Sequence, residues 1–66
     1  MDLKRSINIS LAIAGINQQQ LADKMGVAPS SISAMVQRGT CHTDTITRMA
    51  EVFNIRSSEF IARGEE

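Results

Sequence analysis

Two short apolar stripes separated by a glycine constrain what residues 18 to 39 can fold into. Leu21, Ala22 and Met25 stand at i, i+1 and i+4, and Ile32, Met35 and Val36 resume a helical spacing after a break. Two helices are implied. Gly26 falls where the first must stop and the chain must reverse within about three residues, which calls for a positive φ that glycine adopts without steric cost. Val27 then plugs the corner. Ala22 matters by being small, because a second helix crossing steeply over the first needs close approach there. Pro29 suits the first turn of the second helix, where a missing N–H costs nothing and a fixed φ helps start the turn.

The rest of the chain reads as three more helices and no strand, so the expectation is an all-α, compact five-helix fold. Helix 1 is expected from about Asp2 to Ala14, with Leu3, Ile7, Leu11 and Ala14 inward and Ile9 and Ile13 off that stripe. Gly15 suits a left-handed C-terminal position, with Ile16 folding back onto the helix. Asn17 followed by Gln20 forms a capping-box pattern at the start of helix 2, expected over 18 to 25. Helix 3 is expected over about 29 to 37, followed by a loop from Arg38 to His42. Thr43 or Asp44 would cap helix 4, which runs to about Phe53 before Asn54 ends it. Ser57 or Ser58 would start a short last helix through Ala62, and residues 63 to 66 read as a frayed tail.

Sixty-six residues make one domain, 1–66, close to the lower limit for independent folding, so association would add stability. No apolar run is long enough for a membrane span, and Met1 to Arg5 lead straight into an amphipathic helix, so a cytoplasmic protein is expected. Cys41 is the sole cysteine, which excludes an internal disulfide, and with one neighbouring histidine it makes no zinc ligand set. The Cys41-His42 pair lacks a third member for nucleophilic catalysis. No enzyme, cofactor or small-molecule substrate is implied.

The run from Gln18 through Leu21, Ala22, Gly26 and Val27 to Ile32 and Met35 resembles the helix-turn-helix of the lambda-repressor and Cro family of DNA-binding proteins. Downstream, Ile46, Met49, Ala50, Val52, Phe53, Ile55, Phe60 and Ile61 look like the fourth and fifth helices of that family's domain, so the resemblance covers nearly the whole chain. It implies a transcriptional regulator whose helix 3 lies in the major groove of a double-stranded operator. Ala28, Pro29, Ser30, Ser33 and Ala34 then occupy the base-facing places, with Ile32 and Met35 turned into the core. That set lacks the long bidentate donors that discriminate guanine or adenine, so serine hydroxyls, thymine-methyl contacts, shape and water would carry specificity. Gln37 and Arg38 are the first long polar side chains beyond them. Gln18, in the first turn of helix 2, is the best phosphate-positioning residue, with Ser31, Thr40, His42 and Thr43 as further donors. Where relatives carry an acidic residue, Val36 is apolar, which predicts packing of helix 3 against helix 1.

Seven basic and seven acidic side chains give no net charge, which argues against strong electrostatic attraction to DNA. Between Gln18 and His42 the charged residues are Asp23, Lys24 and Arg38, whereas Asp44, Glu51, Glu59, Glu65 and Glu66 fall late in the chain. Weak non-specific affinity is expected. A homodimer through the apolar C-terminal segment is also expected, because one recognition helix covers too few base pairs to be selective. Two other readings keep the fold: an antitoxin or restriction-system controller, and a protein-interaction module that has lost DNA binding.

Overall fold

The computed structural model describes residues 2–65 and forms five helices: α1 Leu3–Ala14, α2 Gln18–Met25, α3 Pro29–Arg38, α4 Thr43–Val52 and α5 Ser57–Arg63. Among the described residues there is no strand. Each of the first five boundaries follows from local chemistry. Asp2 caps α1 by accepting from the Arg5 amide at 3.2 Å. Gly15 closes it, and the Ile16 amide reaches back to the Leu11 carbonyl at 3.1 Å. Asn17 and Gln20 form the capping box reciprocally, at 2.8 and 2.9 Å. Gly26 takes φ 71° and Pro29 opens α3, as the turn requires.

The core is one cluster in which every helix takes part: Leu3, Ile7 and Leu11 from α1, Leu21, Ala22 and Met25 from α2, Ile32 and Met35 from α3, Met49 and Ala50 from α4, and Phe60 from α5. Ala22 is fully buried where α2 meets its neighbours, which is what its small side chain permits. Val36 is half-buried against this core and α3 does pack on α1, as the apolar character of Val36 predicts.

Several expectations are corrected. Ala14 is exposed, because the inward stripe of α1 ends at Leu11, one turn before the glycine closes the helix. Helix 3 runs one residue further than expected and includes Arg38, with Gly39 as its left-handed cap. Neither Thr43 nor Asp44 caps α4. His42 stands at the N-cap without a side-chain bond, and Thr43 is already helical. That helix stops at Val52; Phe53 is its C-cap and Asn54 takes φ 58°, a left-handed conformation asparagine tolerates. Ser57 is the first residue of α5, which continues to Arg63 rather than Ala62.

The expected fraying of residues 63 to 65 is also wrong, while Glu66 lies outside the described residues. Gly64 is buried, and its carbonyl accepts from the Asp2 amide at 3.1 Å. A Cβ there would strike Ser6 Oγ and the Asp2 carbonyl oxygen, so the chain end lies against the start of α1 only because residue 64 lacks a side chain. Arg63 extends the seam by donating through Nη1 to Ser10 Oγ at 2.9 Å, and its Nη2 lies 3.7 Å from Glu59 Oε2. Ser6 and Ser10 are both fully buried on α1, small enough to admit α5.

Candidate nucleic-acid interface

The α2–α3 corner is held from below and open above. Below it, Arg48 of α4 donates through Nη2 to the Met25 carbonyl at 2.6 Å, a cation at the negative end of α2. Val27 is half-buried against the core, filling the inside of the turn. Nothing in the sequence singles out Arg48, because the bond joins residues 23 positions apart and depends on how α4 crosses α2.

Above the corner, α3 sorts its side chains by face. Ile32 and Met35 are buried, whereas Ala28, Pro29, Ser30, Ser31, Ser33, Ala34, Gln37 and Arg38 are all exposed. The exposed row begins with small side chains and meets its first long polar groups at Gln37 and Arg38, so the amino-terminal half of α3 could approach a surface closely. Gln18 is half-buried at the start of α2, and the Ser33 hydroxyl donates to Gln18 Oε1 at 3.4 Å, joining two of the candidate residues across the corner. The capping box and the first helical bond occupy the amides of Asn17, Gln20 and Leu21. Among the described residues the amides of Gln18 and Gln19 have no partner.

Thr40 and His42 are exposed in the segment joining α3 to α4, where Arg38, Thr40, Cys41, His42 and Thr43 line an open groove. Ser31, Ala34 and Arg38 line a second groove with Thr45 and Arg48. Thr40, His42 and Thr43 thus sit together at the carboxyl end of α3, away from Pro29 and Ser30 at its start. Burial pushes the Cys41 thiol above its ordinary pKa, and the nearby Arg38 guanidinium offsets this only in part. A thiol kept protonated is a poor nucleophile. Among the described residues no group of histidine, cysteine or acidic side chains could hold a metal ion, and no helix is long and apolar enough to cross a membrane.

Five helices, a glycine-cornered pair and an exposed row on the second helix of that pair define a helix-turn-helix domain. A family model described as helix-turn-helix matches residues 11–60. The chain belongs to the lambda-repressor and Cro-type helix-turn-helix family, whose members are DNA-binding regulatory domains. No curated protein and no solved structure gives a significant match.

Proposed function

We propose that the chain is a sequence-specific transcriptional regulator of Cro or repressor type, from a phage, prophage or bacterium. It acts in the cytoplasm as a homodimer on a double-stranded operator, with α3 in the major groove. The observation that carries this reading is the exposed row of Ala28, Pro29, Ser30, Ser33 and Ala34 beside Gln18 at the amino end of α2. Helix amides and a carboxamide suit phosphate, and a row of small side chains lets the backbone of α3 sit deep in a groove. Gln37, Arg38, Ser31 and Thr40 supply the longer or flanking contacts. The reading needs no cofactor and no small-molecule substrate.

A second reading, a protein-interaction module that no longer binds DNA, is favoured by the zero net charge and by the absence of long donors from the first half of α3. Titration of labelled DNA flanking the protein's own gene separates the two. Retarded complexes that survive excess unrelated duplex support the regulator, and no complex at any protein concentration supports the module.

A further inference from the structure

We infer that Ser33 is a positioning residue that acts through Gln18, orienting its carboxamide toward a DNA phosphate, and does not itself read a base. The inference rests on the reading of this corner as a DNA interface. A primary carboxamide has one accepting and one donating end, and the two are nearly the same shape. A phosphate oxygen can only accept, so Gln18 is useful to it in one of two orientations. The Ser33 hydroxyl donates to Gln18 Oε1 at 3.4 Å, so the accepting end is turned toward α3 and Nε2 keeps both hydrogens for another partner.

Donation from Ser33 to a base acceptor would compete for the same proton, since a serine has one O–H to donate; only the lone pairs of its oxygen stay free, and these can do no more than accept. Ser30 has no such engagement among the described hydrogen bonds and remains the base-facing serine. At 3.4 Å the contact is longer than the roughly 2.5–3.0 Å of a well-formed O–H···O bond, so its effect is a weak bias between two orientations and not a rigid lock. Losing a bias between two orientations lowers the competent fraction to no less than one half, so binding weakens by up to about two-fold.

The test is a double-mutant cycle on DNA affinity with Gln18→Ala, Ser33→Ala and the pair, plus Ser33→Thr, which keeps the hydroxyl. Each variant is titrated against the operator, against operators altered at single base pairs, and against unrelated duplex. The inference predicts that Ser33→Ala weakens all duplexes by the same factor, up to about two-fold. It also predicts that Ser33→Thr restores most of the loss and that Ser33→Ala costs nothing further once Gln18 is alanine. A changed preference at one base pair in Ser33→Ala, or losses that multiply in the double variant, would overturn it while leaving the DNA interface intact. Failure of the unaltered protein to bind any duplex would overturn the interface reading and this inference with it. Thermal melting of each variant shows that the comparison is between folded proteins.

Discussion

Ser6 and Gly64 show how much a single side chain can decide in a domain this small. Ser6 Oγ is fully buried with no hydrogen-bond partner, so its hydroxyl is desolvated without return. Ser6→Ala should therefore leave stability unchanged or raise it by up to about 1 kcal/mol, a gain of several degrees in Tm by calorimetry. Gly64→Ala should do the opposite: its backbone is ordinary, at φ −80°, but the new methyl would collide with Ser6 Oγ and the Asp2 carbonyl. Gly26→Ala makes a useful contrast. A Cβ there meets nothing within 4 Å, so its cost is the left-handed backbone alone, about 1 to 2 kcal/mol. On the exposed row, Ser30→Leu should abolish operator binding with melting almost unchanged, because Ser30 is exposed and lies outside the core cluster. Wild-type affinity in Ser30→Leu would remove Ser30 from the interface. Cys41, held protonated by burial, should alkylate slowly near neutral pH and faster as pH rises through its elevated pKa.

At the level of helices, the account turns on which aromatic ring anchors α5. Leu21 and Ile32 are fully buried in the core. Phe53 is only half-buried, at the C-cap of α4, while Phe60 is fully buried and the rings stack with centroids 6.3 Å apart. Phe60→Ala should cost about 3 to 5 kcal/mol and Phe53→Ala distinctly less, measured by chemical denaturation. Arg48→Met keeps the apolar stem and loses the bond to the Met25 carbonyl, so it should cost about 1 kcal/mol. This contrast marks what the sequence could disclose. The capping box at Asn17, the glycine corner at Gly26 and the stripe from Leu21 to Met25 are written in neighbouring residues, and they placed α2 and α3 almost to the residue. Arg48 to Met25, Arg63 to Ser10 and Asp2 to Gly64 join distant parts of the chain, and no local pattern marks them. A terminal glycine followed by acids looks like a loose end until α1 is placed beside it. The Ser33–Gln18 contact was hidden for the same reason, although each residue was separately identifiable as a candidate.

Considered as a whole, the molecule has no net charge to draw it to DNA, so the sequence-independent part of its affinity should be small. The exposed cations along α2 and α3 are Lys24 and Arg38, two per protomer. If these supply the phosphate neutralisation of a dimer, log K against log salt should fall with a slope of roughly −4 or shallower. A steeper slope would show that cations from other helices reach the backbone. Dimer formation through the C-terminal segment has a surface available: Val52, Phe53, Ile55 and Ile61 are half-buried, and each retains apolar surface outside the core. Sedimentation at micromolar concentration should show dimer, or monomer that pairs on the operator. The central claim, that the α2–α3 corner reads DNA, is tested most directly by hydroxyl-radical footprinting on DNA flanking the protein's own gene. The account predicts protection of two half-sites about one helical turn apart on one face of the duplex, lost for Ser30→Leu and weakened at every position for Gln18→Ala. Uniform cleavage with the folded, unaltered protein at saturating concentration, or protection indifferent to both substitutions, would contradict it.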